Sequence, residues 1–189
     1  ELSADNLVIT NGVYSLSNVD FEKYRFKLLG SLTLDTITLQ YPWILEAEIS
    51  GAVLGLSDDN QLVWYQGTWL FGRWFGGIWH SGVWMAGDWY GGTWNSHIVN
   101  DNVLTVDVDT KTVDWEQSFW YTGRWYDGNW NAGIWNNGRW YGGTWSSGNW
   151  YKGTWNDGLW LDGNFQGGIW VLGTWTKGTF NCNEEPAYW

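Results

Sequence analysis

The segment "GTWLFGRWFGGIWHSGVWMAGDWYGGTW", residues 67–94, repeats a pattern of five residues. Tryptophan returns at every fifth position and glycine stands two residues before each tryptophan, so the unit is Gly-x-Trp-x-x. A strict short period is typical of repeat architectures, in which each unit packs against its neighbours. The segment therefore predicts a repeat fold, and it raises the question of whether the indoles face the interior or the solvent.

The same register runs through two blocks of the chain. The first block contains seven units, from Trp64 to Trp94, and the second contains fourteen, from Trp115 to Phe180. Nineteen of these central positions are tryptophan and two are phenylalanine. Glycine precedes the aromatic residue by two positions in eighteen of the 21 units, so the pattern is highly specific as a repeat signal.

The five-residue period excludes a helix and requires a corner in each unit. Five helical residues advance by about 500° around the axis, so successive tryptophans form no stripe. In a straight strand, side chains five positions apart point to opposite faces because the side-chain period is two. One corner per unit restores a common face. We therefore expect each unit to be a short Gly-x-Trp strand followed by a two-residue bend.

Two arrangements of the bends are compatible with such units. Corners that all turn the same way wind the chain into a β-solenoid, whereas reversals of direction give an antiparallel β-meander. Residues 121–140 and 141–160 share several positions besides glycine and tryptophan: Tyr121 with Tyr141, Asn129 with Asn149, and Asn136 with Asn156. These matches favour an all-β repeat solenoid with about four units in each coil. The meander is the alternative.

The energy scale favours indoles that face inward. Burying one tryptophan contributes at most about 5 kcal/mol, and ordering a five-residue unit costs roughly 7 kcal/mol, so no smaller side chain offsets as much of that cost. Exposed rows of indoles also exceed the apolar patch that soluble proteins tolerate. The predicted core consists of Trp69, Trp74, Trp79, Trp84, Trp89, Trp94, Trp125, Trp130, Trp135, Trp140, Trp145, Trp150, Trp155, Trp160, Phe165, Trp170, Trp175 and Phe180. We interpret the glycine of each unit as space for the large ring.

Charge and composition argue against several classes of protein. The formal net charge is −11, with nine Lys and Arg against twenty Asp and Glu, and nucleic-acid binding requires the opposite balance. The single cysteine, Cys182, excludes an intrachain disulfide and a multi-thiolate metal site. No apolar run approaches the length of a membrane-spanning helix, so we expect no membrane insertion.

Few side chains are candidates for chemistry. His80 lies at a bend and His97 ends the first block, and neither has a serine, cysteine or metal-ligating partner at an informative spacing. An acidic cluster, Asp107, Asp109 and Asp114, is a candidate calcium site, but it lacks the glycine turn and terminal glutamate of a known calcium loop.

Two carboxylate pairs, Glu46 with Glu48 and Glu184 with Glu185, are the candidates for glycosidase chemistry. Adjacent side chains on a strand, such as those of Glu184 and Glu185, face apart, which argues against that role. We interpret Cys182 as an incidental thiol. No catalytic residue, cofactor or metal site is predicted, and we expect a protein that is not an enzyme.

The repeat blocks divide the chain into five parts. These are 1–61, a β-rich segment for attachment or capping; 62–96, the first repeat block; 97–112, a β-hairpin-like interruption; 113–180, the second repeat block; and 181–189, a C-terminal tail or cap. Within the first part, "SLTLDTITLQ" (31–40) alternates apolar and polar residues like a strand, and "NVDFEKYRFKLL" (18–29) has helical spacing.

The repeat resembles known families. Gly-x-Trp-x-x resembles the pentapeptide repeat, in which a small and a large apolar residue point into a four-sided right-handed β-helix, although here tryptophan replaces leucine or phenylalanine. "YTGRWYDG" (121–128) and "YKGTWNDG" (151–158) resemble the first half of a MORN repeat, whose second half is replaced by another tryptophan unit. The pentads over about 64–94 and 115–180 are also similar to virion structural proteins of tailed phages, cyanophages especially.

The resemblance implies a non-enzymatic structural protein that forms a rigid β-repeat component of a larger assembly, above all a phage virion. Tail, baseplate, fibre and decoration proteins are the candidate positions, and other subunits, including further copies of the chain, are the expected partners. The alternative is a carbohydrate-binding adhesin or lectin, located outside the cell or at its surface, that binds a surface glycan through aromatic and polar residues of the repeat surface.

Overall fold

The repeat forms a parallel β-solenoid. A computed structural model of the chain describes residues 7–10, 13–16, 26–96 and 118–181. Short strands pair in parallel at a register of 15 residues, so that Trp64 lies beside Trp79 and Trp79 lies beside Trp94. The coils stack into a solenoid of about six turns. The predicted all-β solenoid is confirmed, and the parallel pairing excludes the antiparallel meander.

Each coil contains three five-residue units rather than the four that we expected. The register of 15 residues corresponds to three sides, and their rings meet in the interior. In the first coil, the ring centroids of Trp64, Trp69 and Trp74 lie 5.8 to 6.4 Å apart. Three indoles in mutual contact fill the centre of the coil, whereas four at the same separations would surround a void, which close-packed interiors do not tolerate.

The strands lie in three columns, which we call side 1, side 2 and side 3. Strand β5 (Leu62–Phe71) forms the first strand of both side 1 and side 2. Side 1 continues with β7 (Ile78–Trp79), β10 (Thr93–Trp94), β13 (Asn129–Trp130), β16 (Thr144–Trp145), β19 (Leu159–Trp160) and β22 (Thr174–Trp175). Side 2 continues with β8 (Val83–Trp84), β11 (Phe119–Trp120), β14 (Ile134–Trp135), β17 (Asn149–Trp150), β20 (Asn164–Phe165) and β23 (Thr179–Phe180). Side 3 consists of β6 (Arg73–Trp74), β9 (Asp88–Trp89), β12 (Arg124–Trp125), β15 (Arg139–Trp140), β18 (Thr154–Trp155) and β21 (Ile169–Trp170).

Two backbone hydrogen bonds join each unit to the coil before it. The residue between glycine and tryptophan donates to the carbonyl of the preceding glycine, as Thr154 does to Gly138 at 2.9 Å. The residue after tryptophan donates to the preceding tryptophan carbonyl, as Asn156 does to Trp140 at 2.8 Å. This ladder sets the distance between coils, because hydrogen-bonded strands lie about 4.8 Å apart.

The core consists of three stacks of rings. Indoles that are neighbours on one side stack with centroids 4.6 to 5.1 Å apart and planes within 4° to 8°. Rings that follow one another along the chain meet edge to face, with centroids 5.5 to 6.0 Å apart. Both geometries are favoured by the ring quadrupole, and each pair adds about 1 kcal/mol beyond its burial.

The predicted core aromatics point into this interior. All of them up to Phe165 are completely buried, together with Trp64 and Trp120. Trp170, Trp175 and Phe180 belong to the last coil and are only partly buried. The indoles therefore form the core of the coils, and the open end of the last coil accounts for the remaining exposure.

Most of the buried indole nitrogens lack a hydrogen-bond acceptor. On side 2, three indoles donate to backbone carbonyls at 3.0 to 3.2 Å: Trp120 to Asn137, Trp135 to Lys152, and Trp150 to Gly167. Other indoles, including those of Trp84 and Trp140, have no acceptor among the described residues. An unpaired buried N–H costs about 1 to 3 kcal/mol, which is less than burial of the whole ring contributes.

The repeat glycines adopt a backbone conformation that other residues avoid. Their φ angles lie between 98° and 142°, a region that L-amino acids rarely occupy. A Cβ at Gly92 would overlap the carbonyl oxygen of Gly77 in the preceding coil. The interpretation of glycine as space for the ring is therefore incomplete, because the nearest obstacle is the backbone of the neighbouring coil.

Single alanine substitutions at two adjacent glycines distinguish the loss of the required backbone conformation from the loss of any glycine. We expect Gly92→Ala, at φ +107°, to destabilise the fold by about 2 kcal/mol or more. Gly91→Ala is the matched control, since its Cβ would meet only the Phe75 oxygen at 3.7 Å, and we expect a change within about 0.5 kcal/mol. Urea unfolding measures both variants. Equal losses would contradict the assigned backbone constraint.

Aspartates at the second bend position hold the following glycine in place. Asp127, Asp157 and Asp162 each accept a hydrogen bond from the next amide at 2.7 to 2.8 Å. Asp162 also forms an ion pair with Lys177 in the next coil at 3.1 Å. The Gly163 amide in the first place, and Lys177 in the second, lower the pKa of the Asp162 carboxyl.

The lowered pKa of Asp162 predicts a specific dependence of stability on pH. A carboxyl whose pKa is lower in the folded state stabilises that state above the unfolded value of about 3.9. This contribution is lost as the pH falls through the folded pKa. We therefore expect the stability advantage of the wild type over Asp162→Asn to be present at neutral pH and to vanish in acid, as measured by urea unfolding across the pH range. An advantage that persists unchanged in acid would contradict this assignment.

The N-terminal segment continues the solenoid sheet. Strands β1 (Leu7–Thr10), β2 (Val13–Leu16) and β3 (Phe26–Leu29) pair antiparallel in that order. Helices α1 (Leu34–Gln40) and α2 (Pro42–Glu46) then connect β3 to β4 (Glu48–Leu56), which is parallel to β3. β4 pairs antiparallel with β5 and so covers the first strand edge of sides 1 and 2.

Two local predictions in this segment were wrong. Residues 34–40 form a helix instead of a strand, because the Thr33 hydroxyl caps it by accepting from the Thr36 amide at 3.2 Å. Leu34 and Ile37 bury one face of this helix. Residues 26–29 of the expected helix form β3 instead, where Phe26 and Leu28 alternate inward; residues 18–25 of that prediction lie outside the described residues.

Trp43 covers the start of the indole stacks. This residue lies in α2, outside the five-residue register, and its ring meets Trp74 edge to face at 5.0 Å. It also contacts the rings of Trp69 at 6.4 Å and Phe75 at 6.0 Å. The N-terminal segment therefore caps the first coil with β4 on two sides and an indole near the third.

The interruption of the repeat is inserted at a corner. Trp120, and not Trp115, occupies the coil position after Trp94, since it pairs with Trp84. Ser118 closes the corner: its amide donates to the Ser96 hydroxyl at 2.8 Å, and its hydroxyl donates to a neighbouring backbone carbonyl. The coil resumes without loss of register, whereas the expected hairpin at 97–112 and the start of the second block at 113 lie outside the described residues.

Candidate functional site: the arginine and tyrosine strip

The outward positions of side 3 form a row of charged side chains. Arg73, Asp88, Arg124 and Arg139 occupy the position between glycine and tryptophan in four successive coils, each paired in register with the next. Three of the four arginines of the chain lie in this row. Such a concentration of positive charge is unexpected on a chain with a net charge of −11.

A ladder of aromatic rings follows the same coils. Phe75, Tyr90, Tyr126 and Tyr141 each follow a side 3 tryptophan and stack with centroids 4.9 to 5.0 Å apart. Their planes agree within 5° to 7°, so the ring faces cover one another. We call this ladder and the charged row together the Arg–Tyr strip. Its phenol edges and hydroxyls, rather than its inner ring faces, are left to meet a ligand.

One carboxylate pairs with one arginine in the strip. The Arg124 Nε and Nη2 atoms donate to the two Asp88 carboxylate oxygens at 2.6 and 2.9 Å. This hydrogen bond is the main cause of the raised pKa of Arg124. In the described ranges, Arg139 has no carboxylate partner. Among the described residues, the strip therefore carries the uncompensated guanidinium of Arg139 beside the compensated one of Arg124.

A shallow groove of about 530 Å³ runs beside these arginines, at the corner between sides 2 and 3. Its side chains are those of Thr122, Arg124, Asn137, Arg139 and Thr154, and the glycines of the same corner form its floor. Each of these side chains carries a polar group. The groove thus offers two guanidinium groups together with neutral hydrogen-bonding groups.

The side chains of the strip are chemically suited to hydrogen bonding and to pairing with negative charge. A tyrosine hydroxyl is protonated at neutral pH and can donate a hydrogen bond, and desolvation raises the pKa of the Tyr126 phenol further, against the opposing effect of Arg124. Arginine remains charged in proteins and presents a planar fork of donors to carboxylates and phosphates. The arrangement is therefore suited to recognition of an anion.

The strip was not predicted from the sequence, although a signal for it exists. Arg124 and Arg139, like Tyr126 and Tyr141, recur at a spacing of 15 residues. Neighbours in successive coils repeat at the length of one coil, so the comparison of residues 20 apart did not bring these pairs together. A comparison at 15 residues would have placed them side by side.

The candidate chemical groups from the sequence do not assemble into a site in the described residues. The His80 amide donates to the Trp64 carbonyl at 2.7 Å, and its ring lies 5.5 Å from that of Tyr65. Glu46 and Glu48 are both exposed, at the end of α2 and the start of β4. The remaining candidates, namely His97, Asp107, Asp109, Asp114, Cys182, Glu184 and Glu185, lie outside the described ranges.

Within the part of the chain that the structure describes, no three His, Cys, Asp or Glu side chains come together in a way that could hold a metal ion. None of the helices there has the length and apolar character needed to cross a membrane. Comparison of the chain with protein-family models, curated proteins and solved structures found no match.

Asp88→Asn tests whether the strip serves stability. The Arg124 side chain is 53% exposed, and exposed ion pairs contribute less than about 1 kcal/mol. We therefore expect Asp88→Asn to lower the free energy of unfolding by less than about 1 kcal/mol, as measured by urea unfolding. A loss above about 2 kcal/mol would instead assign the ion pair a structural role.

Proposed function

We propose that the chain is a non-enzymatic structural protein, a rigid component of a larger assembly. The proposal is supported by the packing of the repeat, in which every coil is fixed to its neighbours by hydrogen bonds and by stacked rings on three sides. Such a solenoid transmits force along its axis without a mobile core, because packed interiors have low compressibility.

The observation that carries this proposal is the open end of the solenoid. Strands β21, β22 and β23 each pair on one edge only in the described part of the chain. Ile169 and Leu172 in this last coil are each 62% exposed and Val171 is 57% exposed. Unpaired edges and clustered exposed apolar side chains are features of surfaces that meet another protein.

The proposed setting is the virion of a tailed phage, as a tail, baseplate, fibre or decoration protein. It is supported by the likeness of the Trp/Gly pentads to virion structural proteins. The partners would be other subunits of the particle, including further copies of the chain.

Incorporation into particles tests the proposal. Mass spectrometry of phage particles purified from the source of the chain should detect it at a fixed copy number. We expect Leu172→Lys at the open end to reduce its incorporation at least tenfold, since a buried lysine costs several kcal/mol. Leu39→Lys is the control, because Leu39 is 81% exposed on α1, away from the open end. Absence of the wild-type chain from particles, or equal loss for both variants, would contradict the proposal.

A second candidate function, binding of a surface glycan, is favoured by the Arg–Tyr strip. The core indoles are buried, so an adhesin of this fold would use the outward side chains. The groove that contains Arg124 and Arg139 is lined by the polar groups that sugar hydroxyls require.

A further inference from the structure

We propose that the groove between Arg124 and Arg139 binds a carboxylate-bearing glycan, such as a polymer of uronic acids. This assignment names the ligand class for the second candidate function and does not depend on the structural role of the chain. The ligand would occupy the groove, with a carboxylate at the two guanidinium groups and its hydroxyls at the neighbouring polar side chains.

The arrangement of charge supports an anionic ligand. Arg124 and Arg139 are opposite one another in adjacent parallel strands, where like charges destabilise a sheet. Asp88 occupies two donors of Arg124 on the opposite side from Arg139. A bound carboxylate would compensate the remaining charge, and arginine binds carboxylates with two parallel hydrogen bonds.

The neutral groups around the arginines favour a sugar acid. Thr122, Asn137 and Thr154 line the groove and provide hydroxyl and amide groups that both donate and accept hydrogen bonds. The phenols of Tyr126 and Tyr141 follow the same coils. Each residue of a uronic acid polymer presents two free hydroxyls beside its carboxylate, and the groove offers neutral hydrogen-bonding groups for them beside the arginines.

The geometry does not favour other polyanions. Single-stranded nucleic acids bind through bases stacked on aromatic faces, but the inner faces of the tyrosine ladder are covered by neighbouring rings at 4.9 to 5.0 Å. An acidic peptide has a backbone amide in place of the hydroxyls of a sugar acid, and hexaglutamate tests this alternative.

Calorimetric titration of the full chain at about 0.15 M salt, where exposed charges more than about 8 Å apart are largely screened, tests this assignment with four probes of six units each. These are a galacturonic acid hexamer, its carboxyl-reduced neutral counterpart, hexaglutamate and a thymidine hexanucleotide. We expect the galacturonate to bind, and Arg139→Gln to weaken its binding roughly tenfold, since an arginine–carboxylate hydrogen bond is charge-assisted. Arg73→Gln removes the same charge from the same row but lies outside the groove, so we expect its effect to stay within about twofold.

The results separate the ligand class from glycan binding in general. Equal binding of the neutral hexamer would overturn the carboxylate assignment and retain glycan binding, whereas binding of neither hexamer would overturn both. Tighter binding of hexaglutamate or the hexanucleotide would replace the glycan by that ligand class. Equal weakening of binding by Arg73→Gln and Arg139→Gln would show that the ligand responds only to the overall charge, and it would overturn the assignment of the groove. Unchanged melting temperatures establish that both variants are folded.

Discussion

The distance between coils satisfies two interactions at the same time. Backbone hydrogen bonds hold parallel strands about 4.8 Å apart, and the stacked indoles have centroids 4.6 to 5.1 Å apart. Aromatic rings prefer an offset arrangement at this separation. Because both interactions require the same distance, neither is strained by the other. A change that separates the backbones at one corner therefore weakens the ring stack as well as the hydrogen-bond ladder.

This shared distance explains why glycine and tryptophan occur together. The coils approach most closely at the repeat glycines, where a Cβ at Gly148 or Gly153 would collide with the preceding glycine carbonyl. A larger residue there would push the coils apart and separate the rings. Ser118 occupies a glycine position only where the chain is interrupted, and its hydroxyl is hydrogen-bonded to the Asn95 carbonyl.

The sequence predicted the type of fold correctly but not the number of units in each coil. The period of five residues required corners and excluded a helix, and the strength of the pattern identified the aromatic register. The number of sides could not be read in the same way, because glycine and tryptophan match at every multiple of five. Only the outward residues can distinguish a coil of 15 residues from a coil of 20. Their identities conflict, because asparagine recurs 20 residues apart at Asn129 and Asn149 but 15 residues apart at Asn149 and Asn164. The decision depends on how many indoles fill a coil, which is a property of packing in three dimensions.

The regular stacking of coils also determines which side chains are favourable on the outer surface, including those of the Arg–Tyr strip. In a parallel solenoid, each outward residue lies beside its counterparts in the neighbouring coils, so a stacked tyrosine gains a ring contact while a stacked arginine gains a repulsion. Tyr126 and Tyr141 gain such a ring contact, whereas Arg124 and Arg139 lie side by side despite the repulsion between their charges. Stacked asparagines avoid this repulsion because they are neutral and can hydrogen-bond to one another, as the Asn164 amide group donates to the Asn149 Oδ1 atom at 2.8 Å. Natural sequences depart from such local consistency mainly at functional sites. The adjacent arginines are therefore the part of this surface for which we propose a ligand.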